Sequence, residues 1–145
     1  MTIRRILKQK AIGEIVTVSP EASVAEATRL LAEKRIGALV ASSDGRTIAG
    51  VLSERDIVRE LGKRGTGCLD DRVADLMTRE VRTVSPDTLA LRALDIMTQG
   101  RFRHLPVVEG NVMVGVVSIG DVVKYRLEEI QRENAALTDM ITGHV

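Results

Sequence analysis

Two stretches of this chain lie over one another from end to end. VTVSPEASVAEATRLLAEKRIGALVASSDGRTIAGVLSERDIV, from Val16, and VRTVSPDTLALRALDIMTQGRFRHLPVVEGNVMVGVVSIGDVV, from Val81, present the same signals in the same order. Val18 matches Val84 at a distance of 66 residues and Gly50 matches Gly115 at 65, so one residue is lost near a turn. A repeat of this length restricts the fold before any other property does: the chain must build two copies of one supersecondary unit. Each copy is too small to cover both faces of its own sheet, so the two must bury apolar surface on each other.

Within a copy, a short β-branched stretch (Val16 to Val18, or Arg82 to Val84) meets Ser-Pro, and proline stops it from continuing as a central strand. A helix follows. In the first copy Ser23 and Glu26 have capping-box spacing, and Val24, Ala27 and Leu31 share a face. In the second the helix runs from Asp87 through Leu89, Ala93 and Met97 to Gly100, which reads as its terminator. The apolar runs ALVAS and LPVVE then pass through Gly-containing turns, Asp44-Gly45 and Gly110-Asn111, into IAGVLS and VMVGVVS, the pattern of a β-hairpin. Ser53 and Ser118 open a further helix. The unit is β-α-β-β-α. The expected fold is α+β, two pseudo-symmetric repeats packed through their sheets, with repeat 1 at 11–65, repeat 2 at 66–128 and a C-terminal helical extension at 129–145.

Composition removes several classes of function. Only Phe102 and Tyr125 are aromatic and the formal net charge is +1, so there is neither a basic stripe nor a set of stacking platforms, and no nucleic-acid partner is expected. Apolar runs such as VMVGVVSIG fall far short of the roughly 20 residues that cross a bilayer. MTIRRILKQK carries charge without the apolar segment of a secretory signal. These features predict a cytoplasmic protein without a membrane partner. Cys68 is the only cysteine, which leaves no disulfide framework and no paired-cysteine motif. His104 has no second histidine nearby in sequence, so no metal site is expected; His144, near the end of the chain, is expected to be disordered. With no GxSxG elbow, HExxH motif or suitable Cys-His pair, nothing supplies an activated nucleophile and no enzyme is expected. GKRGTG at 62–67 invites a phosphate-loop reading, but it lacks the required Lys-Ser or Lys-Thr and follows a helix instead of opening one; it reads as a linker.

The copies agree closely at GVLSERD and GVVSIGD, where Ser53 and Asp56, and Ser118 and Asp121, keep one spacing at a strand-to-helix junction. Two readings are open. In the first, the pair is a capping box, in which serine and aspartate each accept from the other's backbone N–H; such a cap contributes about 0.5–2 kcal/mol. In the second, the helix N-terminus and the serine hydroxyl hold a phosphate, while the carboxylate one turn in accepts from the two hydroxyls of a ribose. The residues between differ, Glu54-Arg55 against Ile119-Gly120, so two such sites would differ in charge, with Arg55 available to a phosphate in the first. GRFRH places Arg101, Arg103 and His104 within five residues, either as phosphate ligands or as a solvated strand end.

TVSP at 17–20 and 83–86, RHLPVVE at 103–109 and the two junctions resemble the CBS domain, named for cystathionine β-synthase, in its tandem form, the Bateman module. The resemblance covers roughly residues 11–128. It implies a regulatory module that binds an adenosine-containing ligand (AMP, ADP, ATP, NAD(H) or S-adenosylmethionine) between the copies and acts on a partner protein, and it implies a homodimer. It maps an adenine slot onto Thr17, Val18, Ile36, Gly37 and Ala38 in one copy and onto Thr83, Val84, Phe102, Arg103, His104 and Pro106 in the other; singly, the aliphatic members serve equally as core. With no room for an attached enzyme or transporter domain, a stand-alone module is expected. The alternative is an interaction or scaffold module with empty clefts, where the Ser–Asp pairs only cap helices.

From Val123, the residues Leu127, Ile130, Asn134, Leu137 and Ile141 recur at spacings of four, three, four, three and four, a heptad seam with one Asn inside it. The stripe either pairs with a second copy or lies on its own domain.

Overall fold

A computed structural model describes residues 1–10 and 15–142. A lead helix, α1 (Ile3–Gln9), comes first. The first copy forms β1 (Thr17–Val18), α2 (Val24–Lys34), β2 (Ala38–Ala41), β3 (Gly50–Ser53) and α3 (Glu54–Arg64). A 3-10 segment (Gly65–Asp70) and α4 (Val73–Leu76) lead to the second copy, α5 (Ala90–Gly100), β4 (His104–Glu109), β5 (Val112–Ser118) and α6 (Ile119–Thr142). In the first copy β1 runs parallel to β2, and β2 antiparallel to β3. In the second, β4 and β5 pair antiparallel.

The strand expected over 82–84 is reduced to one parallel bridge between Val84 and Val107. Val84 N–H donates to Pro106 O at 3.1 Å and Val108 N–H donates to Val84 O at 2.8 Å. The next rung needs an N–H from Pro106 to the Arg82 carbonyl, and proline has none. Val40 stands in the matching position of the first copy, and there Thr17 and Val18 both pair.

Helix ends follow local chemistry, with two departures from expectation. Ser23 accepts from Glu26 N–H at 3.1 Å, so α2 is capped on one side of the expected box. Helix α5 begins at Ala90, because Asp87 and Thr88 belong to a turn in which Thr88 Oγ1 accepts from Ser85 N–H at 3.0 Å. The left-handed residue that ends α2 and α5 is an arginine, Arg35 (φ 55°) and Arg101 (φ 57°). Gly100 therefore does not terminate its helix. A Cβ there would run into the Phe102 ring, so packing keeps the position small.

The lead helices are exchanged between the copies. Ile3 N–H donates to Thr88 O (2.9 Å), Arg4 N–H to Pro86 O (2.8 Å) and Ala90 N–H to Met1 O (2.9 Å). The same three bonds recur around α4: Val73 N–H to Ala22 O (2.8 Å), Ala74 N–H to Pro20 O (2.9 Å) and Val24 N–H to Asp71 O (2.8 Å). Ile3 and Ile6 are fully buried in the second copy's core with Ala93, Leu105 and Val117. Val73 and Met77 join Val24, Leu39 and Leu52 in the first copy's core, although they follow that copy in the chain. Gly50 and Gly115 seat the exchanged segments: a Cβ would lie 2.7 Å from Met77 Sδ at the former and 2.8 Å from Leu7 Cδ2 at the latter.

Helix α6 runs unbroken for 24 residues, so the second copy's closing helix and the extension are one element. Leu137 is 56% and Ile141 77% exposed, and every residue from 131 to 141 is exposed. The distal stripe does not lie on its own domain. His144 falls outside the described residues. Among these, no helix is long and apolar enough to cross a membrane.

Candidate functional site

Both junctions sit at the ends of hairpins. Ser53 pairs with Ala38 across β2 and β3, and Ser118 with His104 across β4 and β5. Each then starts a helix through a reciprocal capping box. Ser53 N–H donates to Asp56 Oδ2 at 3.0 Å and Asp56 N–H to Ser53 Oγ at 3.2 Å. Ser118 N–H donates to Asp121 Oδ2 at 2.9 Å and Asp121 N–H to Ser118 Oγ at 3.0 Å. The carboxylates differ in their remaining partners. Asp56 Oδ1 meets the Arg59 guanidinium at 2.7 Å, whereas Asp121 Oδ2 meets Lys10 Nζ at 2.7 Å. Burial pushes the Asp121 carboxyl up, but the bonds from Lys10 and Ser118 and the charge of Lys10 outweigh it and hold the group below its ordinary value.

Between the copies lies a cavity of about 510 Å³, within the range of about 300–1,000 Å³ usual for small-molecule sites. From the first copy Gly37, Ala38, Ser53, Arg55 and Asp56 line it; from the second, Arg101, Phe102, Arg103, His104 and Ser118 do. The cavity thus brings together residues that the sequence reading assigned to adenine, ribose and phosphate. Gly37 makes room for the other copy: a Cβ there would lie 3.2 Å from His104 Cε1. Burial, then the charges of Arg103 and Lys10, hold the His104 imidazole below its ordinary value against the opposing pull of Asp121 and Glu54.

Among the described residues, Arg55, Arg82, Arg101 and Arg103 line the cavity without an ion pair, and so do Glu54 and Glu80. Four free guanidiniums against two free carboxylates give the cleft a surplus of positive charge, which concentrates anions. No three His, Cys, Asp or Glu side chains among the described residues are grouped to hold a metal ion.

Asp121, Thr17, Val18, Ile36, Thr83, Val84 and Pro106 do not line this cavity. Val18, Val84 and Pro106 are buried, Ile36 packs against the first core, Thr17 pairs with Val40 of β2, and Thr83 is exposed. The sequence reading missed Arg59, Thr78, Glu80, Val81 and Arg82, which do line it. Arg59 carried a signal, three residues beyond Asp56 on the same helix. The 78–82 segment carried none, because it reaches the cleft through the exchange: Thr78 N–H donates to Val51 O at 2.9 Å and Val51 N–H to Thr78 O at 3.0 Å, which lays the segment along β3.

The model of the CBS domain matches the chain twice, at residues 4–63 and 73–128. This protein is a tandem CBS-domain protein. The CBS pair is 37% identical over 145 aligned residues to the mitochondrial CBS domain-containing protein CBSX3 of Arabidopsis thaliana, covering 92% of this chain and 70% of that one. It is similar to the crystal structure of a CBS-domain protein from Agrobacterium tumefaciens, with a TM-score of 0.82 and 37% identity over 87% of this chain and 99% of the other. It is also similar to a CBS domain protein from Pyrobaculum aerophilum solved in complex with AMP, with a TM-score of 0.73 and 27% identity over 83% of this chain and 89% of the other.

Proposed function

We propose that this CBS pair is a cytoplasmic regulatory module, not an enzyme, whose cleft takes a phosphorylated adenosine ligand and passes its occupancy to a partner protein. The observation that carries the reading is the cavity itself, where guanidiniums from both copies that make no ion pair among the described residues surround a serine-capped helix start and its aspartate. Asp56 accepts from the ribose hydroxyls. Ser53, Arg55, Arg101, Arg103 and His104 hold the phosphate, and the adenine lies against Gly37, Ala38 and Phe102. Ser118 and Asp121 are the counterpart phosphate and ribose positions of the second copy. The AMP complex of the Pyrobaculum aerophilum relative supports an adenosine ligand. The surplus of positive charge favours AMP, ADP, ATP or NAD(H) over S-adenosylmethionine, whose sulfonium would sit among guanidiniums.

The mechanism is linkage. A ligand that touches both copies favours one arrangement of the two, and a partner that prefers that arrangement senses the ligand. Two such modules pair through α6, whose exposed Leu137 and Ile141 continue the seam of Val123 and Leu127.

Thermal unfolding of nucleotide-stripped protein with AMP, ADP, ATP, NAD or S-adenosylmethionine tests the reading. A phosphorylated ligand at a hundredfold excess over its dissociation constant adds about 2.7 kcal/mol to stability, so the midpoint rises with ligand concentration. No rise with any of the five overturns the reading and favours a scaffold whose Ser–Asp pairs only cap helices.

A further inference from the structure

Both oxygens of Asp56 are engaged within its own helix. Oδ2 accepts from the Ser53 N–H at 3.0 Å, and Oδ1 meets the Arg59 guanidinium at 2.7 Å. The two partners differ in what can move. The first is backbone and belongs to the helix cap. The second is a side chain that is 59% exposed, while that of Asp56 is only 14% exposed. A ribose that bonds both carboxylate oxygens therefore competes with Arg59, the partner that can swing away.

The cap itself does not need this arginine. Lys124 holds the matching position in the second copy and lies over the Tyr125 ring, 5.3 Å from its centre, while the Ser118–Asp121 box closes with the same two bonds. Arg59 also lines the cavity, so a released guanidinium stays beside the ligand. There it joins Arg55, Arg82, Arg101 and Arg103, which line the cavity without an ion pair among the described residues. A fifth cation among four is repelled unless the ligand brings negative charge. A mostly buried carboxylate that loses its counter-charge is costly as well.

We propose that Arg59 sets the cleft's preference for phosphorylated over unphosphorylated nucleosides: it guards Asp56 and gives way to a ribose where a phosphate receives its guanidinium. The inference deepens the proposed function and rests on reading Asp56 as the ribose-binding carboxylate. Adenosine breaks the pair and returns nothing to the arginine. AMP breaks the same pair and offers a dianion, to which the guanidinium makes a charge-assisted bond.

Calorimetric titration of the wild type, Arg59→Met and Arg59→Lys with AMP and with adenosine tests this. Methionine and lysine are both good helix formers on this exposed face, so the thermal midpoint is expected to hold. In Arg59→Met adenosine is expected to tighten by about two- to fivefold, because no exposed pair has to be broken. AMP loses a phosphate contact, so the ratio of AMP to adenosine affinity falls by about tenfold or more. Arg59→Lys keeps the charge and most of the ratio. An unchanged ratio in Arg59→Met overturns the inference while leaving the proposed function standing. Weaker adenosine binding by the variant also overturns it, because Arg59 would then support the ribose instead of competing with it, and so does adenosine binding to neither form, because removing the pair would then open nothing. If the wild type binds ADP, ATP or NAD but not AMP, that nucleotide takes its place in the comparison; failure of all four defeats the proposed function itself, and the inference with it.

Discussion

His104 ties the cleft to pH. Burial and its cationic neighbours lower its native pKa from the ordinary 6.5, so the unfolded chain takes up the proton first. Stability is then full above about pH 6.5 and declines as pH falls toward the native value. The denaturation midpoint of the wild type is expected to drop between about pH 7.5 and 5.5, and that of His104→Gln to drop less; parallel curves would contradict this. Asp121 acts in a separate window. Its native pKa lies below the ordinary 3.8, so its contribution is kept above that value and lost only as pH falls further. Arg101 separates fold from binding at a single position. Its backbone is left-handed, where glycine carries no Cβ penalty, while its side chain lines the cavity. Arg101→Gly is expected to keep the thermal midpoint and weaken AMP by about tenfold, the loss of one charge-assisted bond. Unchanged affinity by calorimetry would remove Arg101 from the phosphate site.

At the scale of elements, the two junction glycines hold the exchanged segments with different tolerance. A Cβ on Gly50 meets the Thr78 carbonyl at 2.8 Å as well as Met77, whereas one on Gly115 meets the side chain of Leu7. Backbone cannot yield as a leucine tip can. Gly50→Ala is expected to cost about 1–3 kcal/mol, and Gly115→Ala less; chemical denaturation that ranks them the other way would contradict the packing. The seam proposed on α6 is tested by a chain ending at Arg126: the full chain is expected to sediment as a dimer and the shortened one as a monomer, and a dimer in both would remove the part of α6 beyond Arg126 from the interface. Hairpins, helices and their serine caps were legible because each depends on neighbours within a few positions. The missing rung at Arg82 was not, since the proline responsible lies in another strand. Nor was the role of Gly100, which looked like a helix stop until Phe102 folded over it.

For the whole molecule, the repeat foretold two like halves and the exchange of α1 and α4 ties them into one. That exchange was illegible from sequence because it relates segments across the full length of the chain. It explains why the 78–82 segment enters the cleft and why Lys10 reaches Asp121. The junction residues were legible as a set, but their sequence match hid a difference in environment: both serines line the cavity, yet Asp56 lines it beside Arg59 while Asp121 lies off it and pairs with Lys10. In the proposed function, a ligand held at the first junction touches Arg101 and Arg103 of the other copy and biases how the two halves sit. The most direct test is calorimetric titration of nucleotide-stripped protein with AMP, comparing the wild type with Asp56→Asn. The asparagine still accepts from the Ser53 N–H, so the cap survives while the carboxylate is lost. The account predicts binding by the wild type and an affinity lower by about tenfold or more in the variant, at an unchanged thermal midpoint. Equal binding by both would contradict it, and so would the failure of AMP, ADP, ATP and NAD alike to bind the wild type.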